Sequence, residues 1–96
     1  MNRLEIFANQ ALSDIIEREL NSLHEQNYTI LRECAGKGNK GFALGNDVWP
    51  EHNVIFIIYV KDINLLSIKD ILSKLKEKFP IIGLSGFITE NCKEFI

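Results

Sequence analysis

A short glycine- and lysine-rich segment is the part of this chain whose composition best suits the binding of an anion. Gly36, Gly38 and Gly41 carry no side chain, so the backbone N–H groups there can approach an anion closely. Lys37 and Lys40 add positive charge at the same place. The spacing matches neither a P-loop, which needs Gly-Lys-Ser/Thr before a helix, nor a dinucleotide-binding fingerprint. A mobile connection would have the same composition, so both interpretations stay open.

Two residues outside this segment offer further contacts. Trp49, the single tryptophan, lies in a polar stretch beside Pro50 and could stack on a base or anchor a partner protein. It could equally pin the loop to its own subunit or to a neighbour. Arg32 lies on the strand before the segment and could reach a phosphate, although a cross-strand ion pair is the simpler interpretation. We predict effector contacts from Arg32 and the glycine–lysine segment, and a partner contact from Trp49.

A metal site is a weaker hypothesis. The chain has four soft metal ligands, and none shows a ligand spacing such as His-x3-His or CxxC: His24, Cys34, His52 and Cys92. His52 could join Glu51 and Asp47 in a loop site, also across a subunit boundary. A solvated histidine is the simpler interpretation, so His52 is only an alternative metal ligand.

The chain offers little for catalysis. No Ser-His-Asp order, paired-carboxylate pattern or reactive-cysteine context stands out, and we predict that the protein is not an enzyme. No signal segment is recognisable, so we expect a cytoplasmic protein in which both cysteines are free thiols rather than a disulfide.

Length and composition predict one folded domain over residues 1–96. The chain is 46% hydrophobic and 25% charged, as in ordinary globular domains. A net charge of −2 and a pI near 5.6 disfavour nucleic acid as a partner, and the lysines at 74–78 are most simply a solvated helix face. The longest apolar run has seven residues, far below the roughly 20 that span a bilayer, so we expect no membrane insertion.

The elements that must position these residues alternate between strand-like and helix-like patterns. Apolar residues recur at helical spacing from Leu12 to Leu23 and from Leu65 to Phe79. In chain order we predict strand 4–8, helix 11–26 capped by Asn9, strand 28–34, strand 54–60, a helix capped by Asn64 and closed by Pro80, strand 81–89, and a tail ordered by Phe95 and Ile96.

This βαββαβ order predicts an α+β, ferredoxin-like sandwich, with two helices on one face of an antiparallel sheet. The strands of such a sheet should alternate apolar and polar residues, because their other face meets water. The run Val54–Val60 does not alternate. A central position in the sheet explains paired backbone groups, but apolar residues on the outer face need a cover. We therefore expect a closed homo-oligomer, with a homotrimer as the first hypothesis.

The topology, the glycine–lysine segment and the apolar strand after it together resemble the PII signal-transduction superfamily. Residues 33–41, Glu-Cys-Ala-Gly-Lys-Gly-Asn-Lys-Gly, resemble the stretch that leads into that family's effector loop. Residues 86–96 are similar to its last strand and the following acidic turn. The resemblance extends over nearly the whole chain. It implies a trimer of ferredoxin-like protomers that takes part in nitrogen-regulatory signal transduction and binds nucleotides or other small effectors in clefts between subunits.

The sequence differs from the usual PII pattern in two ways, and these indicate which branch of the superfamily it resembles. The family's nucleotide-binding members carry a second Gly-rich, basic loop, whereas residues 79–86 here contain no cation. The loop over residues 36–52 contains no tyrosine, since Tyr28 and Tyr59 belong to predicted strands, so tyrosyl nucleotidylation is not expected. The chain best resembles a short-loop PII-like branch that lacks the usual second nucleotide-binding loop.

The sequence thus favours a PII-like regulator that binds a small anionic or nucleotide effector at the subunit cleft. It would signal through residues 36–52 to a partner protein. The runner-up is a metal-responsive trimer of the CutA kind, with His52 and cysteine side chains as ligands. A third hypothesis is a structural trimer that docks a partner through Trp49 and needs no effector.

Overall fold

The computed structural model describes residues 1–23, 27–35 and 52–96. These residues form a four-stranded antiparallel sheet, two α-helices and one 3-10 turn. In chain order the elements are β1 (Asn2–Asn9), the 3-10 turn (Gln10–Leu12), α1 (Ser13–Ser22), β2 (Tyr28–Cys34), β3 (Asn53–Val60), α2 (Asp62–Lys78) and β4 (Leu84–Thr89). The predicted ferredoxin-like fold is confirmed.

The strand order is β2-β3-β1-β4, so β1 and β3 lie in the centre of the sheet. β1 pairs with β3 along its whole length, from Asn2 opposite Val60 to Asn9 opposite Asn53. On its other side β1 pairs with β4, where Ala8 lies opposite Leu84. β1 is hydrogen-bonded on both sides and sets the register of β3 and β4, whereas β2 pairs only with β3.

One hydrophobic core fills the space between the sheet and the helices. Alternate residues of β1 and β3 point into it, and Ile6, Phe56 and Ile58 are completely buried. The helices contribute the apolar stripes that the sequence predicted, with Ile16 of α1 and Ile68 of α2 among the buried residues. Each such side chain stabilises the fold by about 1.5–3 kcal/mol relative to exposure.

The first helical segment begins as predicted and the second does not. The Asn9 side chain accepts a hydrogen bond from the Ala11 N–H at 2.9 Å, which caps the 3-10 turn that leads into α1. The predicted cap at Asn64 is wrong, because α2 already begins at Asp62. Asp62 accepts a hydrogen bond from Asn2 at 2.6 Å, so an acidic residue occupies the positive end of the helix dipole and ties it to β1.

The ends of the later elements also differ from the prediction. α2 ends at Lys78, just before Pro80 as expected, but β4 begins at Leu84 rather than at residue 81. Phe95 and Ile96 are 91% and 95% exposed, so the prediction that they order the tail is wrong for the protomer. The tail is instead attached at its start, where the Cys92 N–H donates to the Met1 carbonyl.

The first helix was predicted to reach residue 26, but α1 ends at Ser22. The last three residues of the predicted helix, 24–26, lie outside the described part of the chain. Within the described residues, no helix is long and apolar enough to cross a membrane.

Candidate functional site

The face of the sheet opposite the helices, here called the outer face, carries a continuous apolar row. Leu31 of β2 lies opposite Ile55 of β3, and Ile55 lies opposite Phe7 of β1. Phe7 in turn meets Phe87 of β4 edge to face, with ring centroids 5.8 Å apart. The row therefore crosses all four strands of the described sheet.

Much of this row is open to solvent. Phe7, Leu31 and Phe87 are 37%, 45% and 58% exposed. Side chains in contact across strands are the stabilising unit of a sheet, but here they leave large apolar surfaces uncovered. Soluble monomers rarely expose contiguous patches of this kind. The structure thus explains why residues 54–60 do not alternate: one half faces the helices, and the other half belongs to the outer face.

A polar group occupies one end of the outer face. The Arg3 guanidinium donates to the Glu5 carboxylate at 2.8 Å and to the Tyr59 hydroxyl at 2.8 Å, and it lies 5.7 Å from the Tyr59 ring centre. The hydrogen bond to Glu5 is the main factor that raises the pKa of Arg3 above its ordinary value. All three side chains remain partly exposed. This group is the polar end of an otherwise apolar surface.

Arg32, the predicted effector contact, is held by the first helix. Its guanidinium forms an ion pair with Glu17 of α1 at 3.1 Å and donates to the Ser13 hydroxyl at 3.2 Å. The predicted cross-strand ion pair is therefore wrong: Arg32 does form an ion pair, but with a helix. The cause is the alternation of β2, which turns Arg32 towards the helices. More than half of the Arg32 side chain stays exposed, so its charge remains accessible.

The strand that holds Arg32 ends irregularly. The β2–β3 register shifts between Leu31 and Cys34, which marks a β-bulge or irregularity. Within this stretch Glu33 has a φ of 56°, a left-handed conformation that non-glycine residues seldom adopt. Bulges redirect strands at sheet edges and near functional sites. This irregularity lies directly before the glycine–lysine segment.

The two ends of the segment over residues 36–51 lie side by side. Cys34 at the end of β2 is opposite Asn53 at the start of β3. The His52 carbonyl accepts a hydrogen bond from the Gln10 N–H at 3.0 Å, and the Asn9 N–H donates to the Gly83 carbonyl at 2.9 Å. The residues that flank the segment therefore lie at the same end of β2 and β3, and His52 lies next to the start of the first helical segment.

The other predicted site residues lie outside the described part of the chain: Gly36, Lys37, Gly38, Lys40, Gly41 and Trp49. His52 lies within it, and no group of three His, Cys, Asp or Glu side chains suited to a metal ion occurs among the described residues. Cys34 and Cys92 are free thiols; Cys34 ends β2, and Cys92 follows β4, which is the opposite edge strand.

The sequence did not indicate two features of this surface. The Phe7–Phe87 contact and the Arg3–Glu5–Tyr59 group both join residues from different strands. The alternation of Arg3, Glu5 and Phe7 was a signal that these residues share a face. Their partners could be identified only with the strand register in hand.

Comparison with known proteins supports the fold. No protein-family profile and no curated protein sequence matches the chain. Among solved structures, a candidate PII-like signaling protein from Thermus thermophilus is 23% identical with a TM-score of 0.66, over 92% of this chain and 83% of that chain.

A second similar structure is CPII, a nitrogen regulatory PII-like protein from Thiomonas intermedia. Bound to ADP, AMP and bicarbonate, it is 21% identical with a TM-score of 0.66, over 92% of this chain and 82% of that one. Bound to ADP, AMP and acetate, it is 18% identical with a TM-score of 0.69, over 91% of this chain and 81% of that one. At these identities the likeness establishes the fold, and the PII-like fold that the resemblance implied is confirmed.

Proposed function

We propose that this protein is a PII-like regulator that assembles into a homotrimer through its outer face. It binds a small anionic or nucleotide effector beside the segment over residues 36–41. Ordering of residues 36–52 by the effector then alters the contact with a partner protein, for which Trp49 is the anchor. The observation that carries the proposal is the apolar row across the outer face, in a fold shared with nucleotide-bound CPII.

The assembly part of the proposal rests on surface energetics. Burial of apolar surface stabilises an interface by about 25 cal/mol per Å², before the cost of association is subtracted. A second copy of the outer face supplies an apolar cover of the same kind, as expected for homo-oligomers with closed symmetry. The helix face needs no such cover, because α1 and α2 already occupy it.

The effector part rests on charge at one corner of the fold. Arg32 lies just before the glycine–lysine segment, and its ion pair with Glu17 is partly exposed. An anion could replace Glu17 as the partner of Arg32, while Lys37, Lys40 and the glycine amides supply further contacts. An effector of this kind regulates only if it binds one state of the loop better than the other. The proposed role is therefore regulatory rather than enzymatic.

The first experiment is native mass spectrometry of the protein purified gently from cells. A trimer that carries the mass of a nucleotide or a small anion supports both parts of the proposal. A bare trimer that binds none of ADP, AMP and bicarbonate on addition contradicts the effector part and favours a docking module. A monomer contradicts the assembly part.

The second experiment assigns the anion site, by calorimetric titration of whichever of ADP, AMP or bicarbonate binds the trimer. We expect the double variant Lys37→Ala/Lys40→Ala to weaken binding about tenfold or more, since two charge-assisted contacts are lost. Glu17→Gln should strengthen binding severalfold, because it leaves the Arg32 guanidinium free for the anion. Lys61→Ala is the control, an exposed lysine at the start of α2. Unchanged affinity in the double variant would rule out these lysines.

A further inference from the structure

A groove of about 320 Å³ lies between helix α2 and strands β1 and β4, on the face of the sheet that carries the helices. Its sheet side is apolar and is formed by Leu4, Ile6, Leu84, Gly86 and Ile88. It is separate from the outer face, because residues that face the helices point away from that surface. It also belongs to the β4 edge, whereas the glycine–lysine segment follows β2 at the opposite edge.

A missing side chain keeps this groove open. A Cβ atom at Gly86 would lie 3.4 Å from the Cδ1 atom of Leu72, so Leu72 of α2 already packs closely over this point of β4. A branched side chain at residue 86 would extend into the space that the groove occupies. Gly86 thus allows close approach of the helix to the strand, and both Gly86 and Leu72 line the groove.

The helix side of the groove is cationic. Lys69, Ser73 and Lys76 line it at spacings of four and three residues, so they share one side of α2. The Lys76 ammonium donates a hydrogen bond to the Leu84 carbonyl at 2.9 Å, which holds this charge at the groove. Lys69 forms no ion pair or hydrogen bond with any side chain in the described residues. The described lining contains no carboxylate.

We propose that this groove binds a small molecule with an apolar body and one anionic head group, namely a free medium-chain carboxylate. The apolar sheet side accommodates the hydrocarbon, and the Lys69 ammonium pairs with the head group. A bare inorganic anion would make no use of the apolar lining, of which Ile88 is 38% exposed. An apolar cation would meet two like charges without a carboxylate to offset them. This site is independent of the proposed effector site at residues 36–41.

The test is a titration of the ¹⁵N-labelled full chain with octanoate, followed by NMR shifts of the Leu84, Gly86 and Ile88 amides. Octanoate should shift these signals saturably, and octylammonium, matched in chain length, should bind at least tenfold more weakly. Lys69→Gln should weaken octanoate binding several-fold or more. Lys74→Gln is the matched control on the same helix, because Lys74 pairs with Asp70 and does not line the groove. Its affinity for octanoate should equal that of the unmodified protein.

A second variant tests the apolar part. Gly86→Leu fills the groove and should abolish the octanoate shifts, whereas Gly86→Ala, which meets the movable end of Leu72, should retain folding and part of the affinity. Equal binding of octanoate and octylammonium, or unchanged binding in Lys69→Gln, would overturn the proposal. Absence of saturable octanoate shifts would also overturn the proposal, and a changed oligomeric state of Gly86→Leu would then identify the groove as an interface between copies.

Discussion

Ile57 and Ile58 are consecutive residues of β3 with the same side chain and different surroundings. Ile58 faces the helices and is completely buried. Ile57 faces the other way, between Thr29 of β2 and Glu5 of β1, and remains partly exposed. Because successive residues of a strand point to opposite faces, this pair compares two surfaces at almost the same place in the fold. The protomer completes one face of its sheet and leaves the other apolar and uncovered.

This difference separates folding from assembly. Residues beneath the helices should determine whether the protomer folds, and residues of the outer face should determine whether protomers associate. If the outer face were an ordinary solvent-exposed surface, charged substitutions on it would change neither stability nor assembly by much. Substitutions at matched positions can distinguish these possibilities.

The largest effect is expected at Ile58. An Ile58→Asp variant places a carboxylate in the core without a partner, which should destabilise the protomer by about 4 kcal/mol or more, a large share of the stability of a small domain. Urea denaturation followed by circular dichroism measures this loss. Ile58→Val is the matched control and should lose about 1 kcal/mol. If Ile58→Asp unfolded cooperatively at a urea concentration close to that of the unmodified protein, Ile58 would not be a core residue.

The next effect is expected at Ile57. Ile57→Asp should leave the protomer folded and convert the assembly to monomers, because the carboxylate remains solvated in the monomer and would be buried between copies. Light scattering after gel filtration reports the mass, and circular dichroism reports the fold. Ile57→Val keeps the apolar surface and should assemble normally. A stable oligomer of Ile57→Asp and of Leu31→Asp, which lies on the same face, would contradict assembly through the outer face.

The same comparison shows how far the sequence predicts this fold. The bounds of β2 were predicted as the structure has them, because its β-forming residues lie between a helix and glycines. The run at 54–60 was interpreted correctly as a strand with two apolar faces. The Asn64 cap was wrong because a hydrogen bond from a distant residue, Asn2, favours an earlier start at Asp62. Local signals predicted the elements, and contacts between elements determined where they begin.

The candidate sites were less predictable for the same reason. The glycine–lysine segment is a local signal, so the sequence indicated it, and its role in effector binding stays a prediction. Arg32 was correctly expected to form an ion pair, but its partner Glu17 lies on a helix and depends on the side of the sheet to which β2 turns it. The groove beside Gly86 could be found only from the register of β4 together with the packing of Leu72 against it. No pattern within a single segment contains that information.

The smallest effect is expected at the polar end of the outer face. Glu5→Gln removes the ion pair with Arg3, and in the monomer this should cost little stability, because both side chains are partly exposed and screened by salt. If the interface covers the pair, the pair loses water in the assembly, so Glu5→Gln leaves the Arg3 charge poorly compensated and the cost should rise. The contribution of Arg3 should not change over the ordinary pH range. Its pKa is raised in the fold, so its stabilising effect is present below the unfolded value and is lost only in strong alkali.

The measurement is the effect of Glu5→Gln on urea denaturation, made once in the Ile57→Asp monomer and once in the assembled protein. Glu5 lies opposite Ile57, so the Ile57→Asp substitution can itself alter the effect of Glu5→Gln on stability. The loss in the monomer is therefore measured again in a second monomeric variant, Leu31→Asp. A larger loss in the assembly than in either monomer would place the Arg3–Glu5–Tyr59 group inside the interface. Equal losses in the assembly and in both monomers would instead place it at the rim, where water still reaches the pair and the apolar row alone holds the copies together.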